Sequence, residues 1–148
     1  NGTLTLNDIA DTNAATLNTG TLLAYGDVVF TGFGMGNTGT GLLRIVGSGN
    51  QSVSGVATAK IPRIEIASTG GTVTMSGNWY FYNGSFTWIS GTVDASTTSM
   101  VFTSQYAGSN TIVPGNIEFN NIALMGCARF TPSPVHSEST ELLMIANG

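Results

Sequence analysis

Apolar residues in this chain come in short runs, and Gly, Asn and Ser punctuate them. The runs are rich in Val, Ile, Thr, Phe, Tyr and Trp, which fit a pleated surface and predict strands. They fall at Gly2–Leu6, Thr21–Phe30, Leu42–Val46, Arg63–Ala67, Thr72–Phe81, Phe86–Ile89, Met100–Thr103 and Asn116–Leu124. In Thr72–Phe81 the pattern has period two: Val73, Met75, Gly77, Trp79 and Phe81 share one face, and Thr72, Thr74, Ser76, Asn78 and Tyr80 share the other. Successive strand side chains point to opposite sides, so the first set predicts a core face and the second a wet one. In Thr21–Phe30 the inward set is Leu22, Ala24, Gly26, Val28 and Phe30. No stretch of ten or more residues keeps a helical 3.6-residue period. Asp11–Leu17 reads either as one helical turn or as a loop.

The chain repeats itself. Gly20–Phe30 (GTLLAYGDVVF) matches Gly71–Phe81 (GTVTMSGNWYF) at an offset of 51 residues, pairing Leu22 with Val73, Gly26 with Gly77 and Phe30 with Phe81. Arg63–Ile66 (RIEI) matches Asn116–Phe119 (NIEF) at an offset of 53. The sequence thus divides into copies at 20–70 and 71–126, with partial copies at both ends, inside one domain spanning 1–148. Glycine within a strand pattern marks a bend, and Gly26-Asp27 and Gly77-Asn78 supply bends at matching places. Repeated bends between short strands predict an all-β chain wound as a parallel β-helix or β-solenoid, with about four coils if each unit makes two turns. The alternative is an antiparallel jelly-roll β-sandwich, which short, regularly spaced strands also fit.

Composition narrows the function. Only 8% of the 148 residues are charged, and Arg44, Lys60, Arg63 and Arg129 are the only Lys or Arg. Phosphate backbones are bound by clustered cations, so nucleic acid is not an expected partner. No apolar run reaches the roughly 20 residues a membrane helix needs. The polar surface is neutral, drawn from 21 Thr, 14 Ser and 13 Asn. Such a surface opposes self-association only weakly. The chain starts at Asn1 rather than Met and reads as a mature or excised fragment. A single cysteine, Cys127, allows no intramolecular disulfide and reads as a buried core thiol.

The stretches Gly77–Phe86, Thr98–Phe102, Asn110–Gly115 and Phe119–Ile122 loosely resemble the scheme G-x-W-x-N-x-G-x-F, S-t-V-x-F, Q-x-I-x-G and F-x-N-L-x-I, a low-complexity pattern. In this the chain resembles the β-solenoid repeats of bacterial secreted surface proteins. The resemblance covers Gly20–Leu124, and Cys127–Thr140 departs from it. It implies an exported adhesin, stalk or surface-layer protein, located outside the cell or on its surface, with no catalytic residues.

Candidate chemistry is sparse. His136, the only histidine, sits in a Pro/Ser-rich loop beside Glu138, without a third group to orient it as a catalytic base. One His and one Cys make no zinc site. Glu65 and Glu118 occupy matching repeat positions and would stack on neighbouring coils, with Lys60 and Arg63 nearby. Paired carboxylates can cleave polysaccharide, and repetition explains the pair as well. No cofactor is expected. Calcium would have only Asp8 and Asp11 as a clamp, since Asp27 and Asp94 stand apart and no calcium-loop pattern occurs. Asn1, Asn50 and Asn83 head glycosylation sequons.

Two sites remain. In Trp79–Trp88 (WYFYNGSFTW) the Asn83-Gly84 turn separates two aromatic runs, and alternation turns Tyr80 and Tyr82 away from Trp79 and Phe81. These aromatics either pack within the chain, anchor a partner or stack on sugars, with Tyr80, Tyr82 and Trp88 the candidates for the last two. At the termini, GTLTL and ELLMIANG read tail to head as a continuing repeat without polar caps. Leu4, Leu6, Leu142, Leu143, Met144 and Ile145 would then form a joint between copies. The function expected is structural: a subunit or segment of an extracellular fibre, stalk or surface layer, self-assembling into a homo-oligomer or filament. An adhesin or glycan-binding module is the second reading, and a polysaccharide-cleaving enzyme the third.

Overall fold

The structure is a computed structural model, and it describes residues 2–7, 19–31, 41–56, 60–61, 63–82, 84–104, 109–126 and 129–130. Within them run eleven strands: β1 (Leu4–Asn7), β2 (Thr21–Ala24), β3 (Val28–Thr31), β4 (Leu42–Ile45), β5 (Gln51–Gly55), β6 (Lys60–Ile61), β7 (Arg63–Tyr82), β8 (Ser85–Ser104), β9 (Ser109–Val113), β10 (Phe119–Gly126) and β11 (Arg129–Phe130). Every pairing between them is parallel. The chain is therefore a β-solenoid of about four turns and not an antiparallel sandwich.

Three stacks of strands form its faces. The first holds β2, β4, the start of β7, the start of β8, β9 and β11. The second holds β1, β3, β5, the middle of β7, the middle of β8 and the start of β10. The third holds β6 and the ends of β7, β8 and β10. The twenty-residue strands β7 and β8 thus wrap all three faces. Although only Asn83 and Gly84 separate them, they are not a hairpin: they pair parallel from Ile64↔Phe86 to Tyr82↔Thr103. Asn83 itself lies outside the described residues.

Alternation sets what is inside. Val73, Met75, Trp79 and Phe81 are fully buried, as are Val28 and Phe30, while Thr74 and Asn78 are exposed. Inward residues stack on like residues of the next coil. Leu22, Leu43, Ile64, Phe86 and Ile112 make one such ladder up the first face. An aromatic spine crosses the coils: Phe30 meets Trp79 edge-on at 5.8 Å, and Phe81 stacks on Phe102 at 4.6 Å and 10°. Phe81 also meets Phe86 edge-on, and Phe86 meets Phe119. Burying each such ring contributes about 1.5–3 kcal/mol.

The corners carry polar ladders. At the bend between the first and second faces, the Ser52 N–H donates to Asp27 Oδ1 at 2.7 Å and the Thr72 N–H to Asn50 Oδ1 at 3.0 Å. The Ser68 hydroxyl donates to the Gly47 carbonyl below it, and the Ser90 hydroxyl to the Ser68 carbonyl. Buried Gln51 turns its amide nitrogen to the Gly26 carbonyl at 2.8 Å. The bend from the second to the third face needs Gly77, whose φ is +89° and whose absent Cβ would run into the Gly55 carbonyl oxygen. Left-handed backbone without a side chain is what only glycine supplies cheaply.

The coil register departs from the sequence likeness between the two copies. Val53 lies two coils from Leu4, and Val101 two coils from Lys60, so two turns take 41 to 49 residues rather than 51. Gly77 lies on Gly55 and is not over Gly26. One turn ranges from 20 residues (Thr74 to Asp94) to 26 (Phe86 to Ile112). Stacking is fixed by inward ladders and corner bonds, and the segments joining them vary freely in length.

Candidate functional site

The ends of the stack are where backbone groups lack partners. A strand is satisfied on both edges only when coils lie on both sides of it. β1 pairs with β3 alone, through Leu4↔Val28 to Asn7↔Thr31, and the Leu4 N–H donates to the Asp27 carbonyl at 2.8 Å. β2 pairs with β4 alone. Among the described residues, nothing pairs with their outer edges. Leu4 and Leu6 point inward, half-buried against the core, and Thr5 between them is exposed. Of the six residues predicted to form a joint, the structure thus places these two on an end strand. Leu142, Leu143, Met144 and Ile145 lie outside the described residues. At the opposite end, β10 pairs with β8 alone and β11 with β9 alone.

The end strands β1, β2 and β10 carry no charged residue, whereas β11 carries Arg129. Natural sheet edges are commonly guarded by Lys, Pro or strong bulges. β1 and β2 carry none of these. β10 has one register irregularity, between Phe119 and Asn121.

Tyr80 and Trp88 lie on different faces. Tyr80 points outward on the third face, half-buried, in register with Lys60 and Val101. Trp88 belongs to the first face, in register with Ile66. It is half-buried against the core, and its indole N–H donates to the Gly91 carbonyl at 3.0 Å. Gly115 lies so close over its ring that a Cβ there would collide with it. Trp88 is thus a packing residue at a corner. The backbone of Tyr82 continues β7 and pairs with Thr103.

The carboxylates also separate. Glu65 stands on the first face between Arg44 and Thr87, and Glu118 precedes Phe119, which pairs with Ala95 on the second face. The two do not stack, because their segments enter different faces. Glu65 is ion-paired with Arg44 at 2.6 Å. Asp27 is held below the usual carboxylate range by the Ser52 N–H and then the Ser52 hydroxyl, and Asp94 by the Ser96 hydroxyl and then its N–H. Among the described residues no three His, Cys, Asp or Glu side chains gather as a metal site, and no helix is long and apolar enough to cross a membrane. Asp8, Asp11, Cys127 and His136 lie outside the described residues.

Sequence reasoning passed over the exposed large apolar residues among those described, Leu23, Tyr25, Val56 and Ile89. Leu23 and Tyr25 have the outward parity of β2 and its corner. Ile89 lies between Trp88 and Ser90, where the pairing with Ile66 and Ala67 skips a residue. The signal was the strand parity itself, opposite to the inward set.

No protein-family model, curated protein or solved structure matches the chain. Of the expected resemblance, the structure shows the β-solenoid fold.

Proposed function

We propose that the chain is a structural segment of an extracellular fibre, stalk or surface layer, without catalytic residues, and that copies assemble head to tail by β-stacking. The observation that carries this reading is that, among the described residues, β1 and β2 at one end of a parallel stack and β10 at the other have one strand neighbour each and carry no charged residue. Each end presents backbone donors and acceptors together with half-buried inward apolar residues, Leu4, Leu6 and Leu22 at one end and Ile122 and Leu124 at the other. A second copy placed there satisfies the backbone and finishes burying those residues in one step. The weakly charged surface adds little repulsion between copies. Placement outside the cell rests on the same low charge and on the resemblance to exported repeats.

Negative-stain electron microscopy of the purified chain at neutral pH, with light scattering, tests this. Filaments are expected. A monomer that persists at high concentration would sink the assembly reading and direct attention to Tyr80 as a contact for glycans.

A further inference from the structure

The outer surfaces of the first two faces differ in chemistry. On the second face the outward rows are Ser52, Thr74 and Asp94, and beside them Ser54 and Ser76. The first face carries three of the four exposed large apolar residues among those described: Leu23, Tyr25 and Ile89. Its middle outward row runs Leu23, Arg44, Glu65 and Thr87, on β2, β4, β7 and β8 in turn. The outward row beside it is Tyr25, Val46, Ala67 and Ile89, without a charge. Arg44 and Glu65 meet at the centre of the face at 2.6 Å, with 39% and 21% of their side-chain surface open to solvent.

We infer that this face pairs with the same face of a second copy, the two solenoids lying side by side with antiparallel axes. Packed sheets keep their strands within about 30° of each other, so two two-fold axes through the middle row are available to such a contact. An axis along the solenoid sets Arg44 against Arg44 of the other copy and Glu65 against Glu65. An axis along the strands, passing between β4 and β7, sets Arg44 of each copy against Glu65 of the other. The charge pattern selects the second axis. It also sets Tyr25 against Ile89, Val46 against Ala67 and Leu23 against Thr87. Arg63, at the edge of the face, falls beside Leu42, where its stem covers apolar surface while its charge stays in water. Every contact occurs twice, as an isologous interface requires. The occupant is a second copy because the face carries its own charge complement. Four strands at about 4.8 Å and five residues at about 3.3 Å give roughly 300 Å² per copy. That is well below the roughly 800 Å² per partner of a standard interface, so pairing depends on concentration. It uses a side of the stack and is independent of head-to-tail joining at the ends.

Charge reversal with rescue in trans tests this. Arg44→Glu and Glu65→Arg are made separately in the full chain, and circular dichroism reports folding of each. Sedimentation over a concentration series reads pairing of single chains. Filament width by negative-stain microscopy reads it where copies also join end to end. The unaltered chain is expected to pair, less so at high salt because the charges are partly exposed. Either variant alone sets like charges together and should pair at least about tenfold more weakly. An equal mixture of the two should restore pairing, since each supplies the charges that the other opposes. Ile89→Asp, away from the ion pair, should also weaken pairing, and it reads the same face if a reversal fails to fold. A mixture no better paired than its components would overturn the inference, as would pairing that none of the three substitutions weakens. Unaltered chain that stays unpaired at every concentration, or forms only filaments one solenoid wide, would also overturn it, and the filaments would leave head-to-tail assembly standing. Pairs without filaments would support it and sink the head-to-tail reading.

Discussion

The middle of the solenoid and its first coil obey the same alternation and reach different ends. In β7 and β8 the inward residues Trp79, Phe81, Phe86 and Phe102 are completely enclosed, with a coil on either side. In β1 and β2 the inward residues Leu4, Leu6 and Leu22 remain half-buried, since each strand has one neighbour. Burial in a solenoid is thus a property of the stack. A coil contributes its full apolar surface only when another coil covers it. Stability is greatest in the middle, and the ends keep a reserve that a further coil would realise.

The largest effect that could break this comparison lies at Phe81. Its ring touches Trp79, Phe86 and Phe102 and has no solvent exposure. Phe81→Ala is expected to cost about 3–5 kcal/mol, as large aromatic truncations in closed cores do. Leu6→Ala, on an end strand, should cost well under half as much. Chemical denaturation of both variants measures the gap. Equal losses would mean that the ends are as closed as the centre.

Next come the corners. Gly77→Ala forces a left-handed backbone on alanine, about 1–3 kcal/mol by itself. It also drives a methyl group toward the Gly55 carbonyl. Gly49→Ala, at the other bend, meets nothing within 4 Å and has ordinary backbone, so it should be close to neutral. Thermal melts of the two variants should separate by several degrees for a domain of this size. A neutral Gly77→Ala would show that the coils can shift apart at that bend.

Much of this was legible in the residues. Period-two alternation in Thr72–Phe81 specified the buried set one residue at a time, because a pleated strand permits no other division. Gly77 announced its bend. The register was not legible, since Phe30 and Phe81 look equivalent in sequence while corners of unequal length place Met75 over Val28. The separation of Tyr80 from Trp88 was hidden for a related reason. Tyr80 and Trp88 are close in sequence, but a chain that turns between them sends them to different faces. The unguarded end strands were suggested by GTLTL at the N-terminus, and only the stack shows that β2 and β10 share that condition.

A smaller effect is expected from Arg44 and Glu65, outward neighbours on successive coils of the middle region. Both are partly solvent-exposed, so the pair should contribute no more than about 1 kcal/mol. Glu65→Gln measured at low and high salt should lose that contribution at low salt only. A loss independent of salt would point to packing rather than charge.

The smallest effect is the pH response of the first turns. Asp27 accepts the Ser52 N–H across a coil boundary near the first end, and its carboxyl is held below the usual range by that bond first and by the Ser52 hydroxyl second. A carboxyl with a depressed folded pKa adds stability that is present above its unfolded value, near 3.9. That stability is lost as pH falls through the lower folded value. The Asp27 contribution should therefore be constant at neutral pH and fade only below about pH 4. Asp27→Asn keeps a side-chain oxygen for the Ser52 N–H, as Asn50 does for Thr72 in the next coil. The variant should fall slightly below the parent at pH 6 and approach it as pH falls through the lowered folded value. Hydrogen exchange at the Ser52 amide reads this locally, where a global melt would be dominated by the middle coils. If the Ser52 amide exchanges no faster at pH 3 than at pH 6 after correction for intrinsic rates, the carboxylate is not what ties the second coil to the third. The end coils would then be held by their backbone ladder alone, the same ladder that the open edge of β1 offers to another copy.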